Sequence, residues 1–356
     1  MGILIVHKPR QKYVKGKMSS HFSLFLLFLI LLCIYMSCHK KSTINTSDFI
    51  STKICTLEQN SYQLGSPNSF AVVDDNIFAI CDNSRVLLYD FSGEQIGQIG
   101  NSGRSKYEYL QPMIVRYNEG AIYVWSSLIP KIIKYSVTGV PLEEYDYQSG
   151  VTDFIPSDNY LFIYTSGKRG ENVIDVYDTK NNTIKDAIIP STDLHRLLTK
   201  FMSIQPFCTD KDMLYCMRKD ALSIYSYDIN QHKLDNSQAV FESDSFDIVD
   251  NEIEDDKFWS HYCSNSEVVL LIKDGKDFKV LTREGEMSYE NKQLNKEKAF
   301  YSLYDVRNNR VASIKRFSAL TSPNMALISF HEGKVYAIDH SIVNDDDVYS
   351  LVLLDM

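Results

Sequence analysis

The sequence has no nucleophile elbow, no histidine pair at metal-ligand spacing and no phosphate-cradling glycine loop. These absences exclude the enzyme classes that announce themselves by short motifs. No low-complexity segment and no interdomain linker interrupts the chain. Cysteine is sparse and irregular. Beyond Cys33 and Cys38, the set is Cys55, Cys81, Cys208, Cys216 and Cys263, an odd number without zinc-like spacing. Packing as small hydrophobes is the preferred reading over a Cys208–Cys216 bridge across a hairpin. Histidines are few, and His331 and His340, which flank one strand, read as turn residues. Asp345-Asp346-Asp347 and the acidic run from Asp250 to Asp256 read as solvated loops rather than calcium sites.

The front of the chain differs from the rest. Lys8, Arg10, Lys12, Lys15 and Lys17 precede an apolar run from Phe22 to Met36. That run is too short for a comfortable membrane span and fits a secretory signal. Tyr35-Met36-Ser37-Cys38 resembles the bacterial lipobox, with Tyr35 where Leu is usual. The resemblance implies cleavage before Cys38 and acylation of that residue. The alternative is an uncleaved signal anchor with an incidental cysteine, and Met18 is an alternative start. We therefore expect a lipoprotein signal over 1–37, a tether over 38–50 and one folded domain over 51–356. His39-Lys40-Lys41 follow the anchor in place of an acidic stretch. This points to an envelope protein facing the periplasm, held to the outer membrane through its N-terminal lipid. Without residues 1–37 the balance is 32 Lys and Arg against 46 Asp and Glu, or −14. Such a surface repels phosphate backbones and argues against nucleic-acid partners.

What the chain does contain is a repeat. Arg85-VLLYDFSGEQI-Gly97 and Lys131-IIKYSVTGVPL-Glu143 overlay residue by residue, each a strand, a tight turn and a second strand. Further copies start at Val173, Ile224, Phe300 and Tyr349. Equivalent positions are Tyr89, Tyr135, Tyr177, Tyr227, Tyr304 and Leu354. Four of the five spacings between them match a four-stranded propeller blade. The fifth needs one insertion between residues 246 and 298, with an acidic loop and an extra hairpin over Asp277 to Lys298. Nearly continuous apolar strands precede the repeats: Asn76–Cys81, Gly120–Trp125, Tyr160–Tyr164, Asp212–Met217, Glu267–Ile272 and Lys334–Ile338. We assign these as second strands. Several follow proline-led segments at Pro67, Pro112, Pro206 and Pro323, assigned as inner strands. The last copy lacks an outer strand, and the orphan segment Ser51–Leu57 fits that position. The expectation is all-β: a six-bladed β-propeller of four-stranded antiparallel blades, with an N-terminal strand closing the last blade.

Two stretches carry a family resemblance. Ile77-FAICDNSRVLLYDFSG-Gly93 resembles the NHL-type propeller repeat. Ile99-GNSGRSKYEYLQP-Pro112 looks like the blade-to-blade connection of six-bladed propeller lipoproteins of Bacteroidetes, the TolB-like group among them. It keeps Ile99, Gly100, Gly103, Glu108, Tyr109 and Pro112, while Ser105-Lys106-Tyr107 departs from the usual Gly-Pro-Gly. The resemblance implies a fold and an envelope location, and little activity.

No catalytic residue, metal ligand or cofactor is expected. The most unusual loop is Gly100 to Tyr109. Its Arg104, Lys106 and Tyr107 suit an anionic or sugar-like ligand. The bland alternative is a plain connection with Tyr109 packed beneath it. Trp125 is read equally as a face residue and as core packing. The leading functional expectation is a non-enzymatic scaffold for an unidentified protein or small-molecule partner, with Arg104, Lys106, Tyr107 and Trp125 as contacts. One alternative is a propeller hydrolase or lyase acting on carbohydrate or peptide, which a cluster of carboxylates or histidines on the inner strands would favour. Another is an accessory lipoprotein of an outer-membrane nutrient uptake system.

Overall fold

In a computed structural model, the repeat tyrosines fill equivalent core positions. Tyr89, Tyr135, Tyr177, Tyr227 and Tyr304 are all at most 3% exposed, and Leu354 is 4% exposed. Each lies on the third strand of its four-stranded antiparallel blade. Alternation along that strand turns the tyrosine into the packing between blades and leaves its neighbours to the other face.

The structure describes residues 46–47, 51–58, 64–82, 84–148, 150–166, 172–199, 205–235, 241–248, 258–290, 293–319, 327–343 and 346–356. The expected signal 1–37 and Cys38 lie outside the described residues. Blade one comprises Pro67–Val72, Ile77–Asp82, Arg85–Asp90 and Gln95–Ile99. Blade two comprises Pro112–Asn118, Ala121–Ser126, Lys131–Ser136 and Pro141–Asp146. Blade three comprises Val151–Pro156, Tyr160–Thr165, Asn172–Asp178 and Thr183–Pro190. Blade four comprises Phe207–Asp210, Met213–Met217, Ile224–Asp228 and Lys233–Asp235. Blade five comprises Glu267–Asp274, Asp277–Glu284, Phe300–Arg307 and Arg310–Ser318. Blade six comprises Ile328–His331, Lys334–Val343 and Asp346–Leu354, with Ser51–Thr56 as its fourth strand. Ser51 lies opposite Leu354 in that antiparallel pair.

Blade five corrects one assignment. Glu267–Asp274 is its inner strand, not its second. The second is Asp277–Glu284, from the stretch expected to form an extra hairpin. The extra hairpin is shorter, Ser288–Glu290 with Gln293–Asn295. The strand was missed because its buried end is polar: Thr282, Arg283 and Glu284 are 0%, 2% and 0% exposed. Thr46–Ser47, within the segment read as tether, pairs in parallel with Arg316–Phe317 at the edge of blade five.

Four of the repeat tyrosines tie their blade to chain that precedes it. The Tyr135 hydroxyl donates to the Tyr107 carbonyl (2.7 Å) and that of Tyr177 to the Asp146 carbonyl (3.1 Å). Tyr227 reaches the Asp186 carboxylate on the outer strand of blade three, and Tyr304 reaches Ser243 in the connection before blade five. Each tie crosses a blade boundary, where backbone ladders contribute nothing. The Tyr89 hydroxyl is buried without a hydrogen-bond partner. Burial pushes its pKa up to about 12.

The five described cysteines are free thiols, four of them buried. Cys208 faces Tyr215 and Cys216 faces Phe207, so the two are not opposite each other across the hairpin. No described helix is long and apolar enough to cross a membrane.

Candidate functional site at one end of the ring

Strand direction sorts the connections onto two ends of the ring. Turns between first and second strands, and between third and fourth, fall at one end. Links from second to third strand, and from each blade to the next, fall at the other. The second end carries the helix Asp193–Leu198, the helix Phe258–Ser264, the extra hairpin of blade five and the tip of the long hairpin in blade six. It also carries the loop from Gly100 to Gln111.

That loop is rigidly built. Tyr109 is fully buried, its hydroxyl donating to the Ile99 carbonyl (2.7 Å) and accepting from the Val86 amide (3.2 Å). The Glu108 carboxylate accepts from the Ser105 amide (2.8 Å). Gly100 has φ +63°, and a β-carbon there would strike the Tyr135 hydroxyl. Tyr107 is also left-handed, at φ 63°, a costly conformation for a bulky residue. It is held from both sides: its amide donates to the Glu144 carboxylate (2.9 Å) and its carbonyl accepts from Tyr135. The Glu144 carboxylate also takes the Lys131 ammonium at 2.8 Å. Burial pushes Glu144 up, but Lys131 and the Tyr107 amide outweigh it, and the carboxyl ends below its usual range. The exposed Lys106 ammonium lies 4.7 Å from the Tyr107 ring centre, and Arg104 is exposed. Arg104, Lys106 and Tyr107 thus share one fixed loop. Trp125 does not join them. It is 3% exposed in the core between blades two and three, edge-on to Tyr147 at 6.2 Å. Its side chain packs and offers no contact surface.

The inner strands bring together charges that pattern reading missed. Arg116 on blade two donates to Ser69 on blade one (2.8 Å) and pairs with Asp153 on blade three (2.6 Å). On the other side, Glu267 at the start of blade five takes Arg283 at 2.8 Å and Lys219 at 3.6 Å. Arg283 also donates to the carbonyls of Tyr262 (3.2 Å) and Asn265 (2.9 Å), with its guanidinium over the Tyr262 ring. Lys219 donates to the Leu198 carbonyl at the end of a helix (3.0 Å). Both helices are therefore pinned to this layer of charge. The two carboxylates respond differently to burial. Desolvation raises Asp153, and the pull of Arg116, with the Phe154 amide and Lys219, does not reverse it. Desolvation also raises Glu267, but Arg283 and Lys219 together outweigh it, so its pKa is lowered. The visible signal was a charge inside an otherwise apolar strand, as in Pro112-MIVR and Glu267-VVLLI.

His195 is fully buried beside this layer. Its Nδ1 accepts from the Lys219 amide (3.3 Å), and Nε2 faces the Thr165 carbonyl (3.3 Å). Burial holds its pKa down to about 4, against attraction from Asp220. With both ring nitrogens on backbone, it is a neutral bracket with no nitrogen left for proton transfer. Glu284 is likewise spent, accepting from Thr282, Tyr304, Ser302 and Ser245.

Of the other sequence candidates, His340 pairs with Asp347 (2.7 Å) at the surface. His331 lies at the opposite end of the ring with Asp75 and Glu332, their ligand atoms within 4.8 Å of one another.

Known structures share this architecture. A Bacteroides fragilis protein named as exported superposes with TM-score 0.61 at 14% identity, over 88% of this chain and 97% of its own. A DUF4221 family member from Bacteroides vulgatus gives 0.61 at 10% identity, over 86% and 98%. At such identities the likeness shows the fold alone. No curated protein matches the chain. The model of DUF5128, described as a 6-bladed beta-propeller, matches residues 34–314, and the protein belongs to that family.

Proposed function

We propose that the protein is a non-enzymatic binding scaffold of the cell envelope, tethered by a lipid on Cys38. It engages a partner protein through the end of the ring that carries the long connections. One observation carries this reading: among the described residues, both helices, the extra hairpin of blade five and the tip of the long hairpin of blade six all lie at that end. A rigid ring tolerates added chain there without losing its core. The same end presents exposed apolar groups, Leu128 at 67% and Ile342 at 69%, beside the cations Arg104 and Lys106. These groups come from blades six, one and two, a spread that suits a protein surface. The apolar run before Cys38 and a fold neighbour named as exported support the envelope address.

Capture from native envelopes, followed by mass spectrometry, identifies the partner. The double change Arg104→Glu with Lys106→Glu, and separately Ile342→Ser, should weaken capture with the melting temperature unchanged. Full capture by both variants would sink the assignment of this end.

A hydrolase or lyase is favoured by one feature, the pair Asp153 and Glu267 on inner strands with pKa values displaced in opposite directions. Their side chains are 0% and 1% exposed, which leaves a substrate no access. Turnover of a chromogenic glycoside or peptide that vanishes in a folded Glu267→Gln variant would decide for the enzyme.

A further inference from the structure

The ring closes where its last blade meets its first. The strands Ile328–His331, Lys334–Val343 and Asp346–Leu354 follow blade five in the chain, and what holds them to blade one is non-covalent. The buried Val72 amide donates to the Ser329 hydroxyl (3.2 Å), linking the two inner strands. The Phe91 ring lies edge-on to Tyr336 at 5.9 Å. These contacts fix the two blades side by side, and with them the turns at their ends.

Two of those turns meet at the short-turn end of the seam. In blade one, Asp75 stands at the tip of the turn between the first two strands, where the Asp74 carboxylate accepts from the Asn76 amide (2.7 Å). In blade six, His331 ends the inner strand and lies opposite Lys334. Glu332 and Gly333 make the turn between them, with φ 47° and 79°. The ligating atoms of Asp75, His331 and Glu332 all lie within 4.8 Å of one another. None of the three side chains makes a hydrogen bond or ion pair within the described residues, and Lys334 pairs with neither carboxylate. The surface histidines His232 and His340 differ, each being spent on an aspartate.

Two carboxylates from separate blades therefore converge on one imidazole, in a chain whose net charge is −9. Like charges so placed repel, and a cation between them turns the repulsion into attraction. One imidazole nitrogen and two carboxylate oxygens are a zinc donor set, leaving a fourth tetrahedral position to water. Tetrahedral zinc holds its ligand atoms about 3.4 Å apart, so the groups close in by about 1 Å. Asp75 and Glu332 are exposed and His331 half-buried, which leaves their side chains room to turn. The imidazole favours zinc over calcium, which prefers an all-oxygen shell.

We propose that Asp75, His331 and Glu332 form a zinc site that clips blade one to blade six across the closure of the ring. It is independent of the partner surface at the other end.

The probe is zinc ion alone, titrated by calorimetry into the chelator-treated full chain. Saturable binding of one zinc is expected. His331→Gln and Asp75→Asn lie in turns outside the core and should each weaken it roughly tenfold or more. His340→Gln, and Arg104→Glu with Lys106→Glu, should leave it unchanged. Zinc at about a hundred times its dissociation constant should raise the melting temperature of the wild type by about 4 °C. The rise should vanish in Asp75→Asn at the same zinc concentration. No binding to the wild-type chain, or binding indifferent to both His331→Gln and Asp75→Asn, would overturn the proposal. Calcium bound as tightly as zinc would overturn the role of the imidazole. A full thermal shift in Asp75→Asn would show zinc held by blade six alone and overturn the clip.

Discussion

At one end of the ring every described connection is a turn of two to four residues; at the other, the link into blade five runs over 236–266. Geometry explains part of this. Links within a blade join adjacent strands. A blade-to-blade link must cross from the fourth strand back to the first, about 14 Å at ordinary strand spacing. Four extended residues just cover that span, and the shortest such link, 147–150, has four. Nothing caps the length of a link at that end, so elaboration collects there. At the other end, reversal within a few residues forces left-handed backbone. Glu119, Lys211, His232, Asn308 and Glu332 all have φ between 44° and 53°. Each costs roughly 1 kcal/mol or more in conformation. One end is thus fixed by its turns, and the other by polar groups buried beneath its loops.

The largest effect should come from those polar groups. Arg116→Ala removes the partner of a fully buried carboxylate and frees Ser69 as well. A loss of about 3–5 kcal/mol is expected, read by denaturant unfolding. Asp274→Ala, an exposed carboxylate at the short-turn end, should change stability by less than about 0.5 kcal/mol. Comparable losses at the two sites would erase the distinction between the ends.

Acid should act on the same layer. His195 titrates near 4 in the fold, below its ordinary 6.5. The unfolded chain therefore takes up the proton first as pH falls. The stability gained by keeping the ring neutral is complete above 6.5 and drains away down to about 4. The full displacement corresponds to roughly 3 kcal/mol. Urea midpoints measured from pH 7 to pH 4 should fall less steeply in His195→Gln than in the wild type. Parallel slopes would show that His195 carries none of the acid sensitivity.

Legibility followed the same divide. The tyrosine repeat, the second strands of five blades and the tight turns could all be read, because alternation and turn residues are local signals. Blade five was misread because a strand ending in Thr282-Arg283-Glu284 breaks the apolar rule, and its burial depends on partners far away in sequence. The pairing within the charged layer was illegible for that reason: Arg116 and Asp153 are 37 positions apart in the numbering and meet only when two blades do. The loop bearing Arg104, Lys106 and Tyr107 was visible as an anomaly of composition. Trp125 could not be told from a surface residue, since the apolar strand it ends runs straight into the link.

The smallest effect is also the most specific, because two tyrosines at one repeat position differ only in what their hydroxyls meet. Tyr135→Phe removes the donor that holds the Tyr107 carbonyl, and with it one restraint on a left-handed residue. That should cost about 1 kcal/mol and speed amide exchange in the loop 100–111 at the elaborated end. The short turns should stay protected. Tyr89→Phe removes a buried hydroxyl that has no partner, so no bond is lost and a desolvation penalty is relieved. Its stability should hold or rise slightly. Losses of equal size in the two variants would mean that the hydroxyls act through packing alone. The ties from one blade to the preceding chain would then be incidental to how the ring and its loops are held.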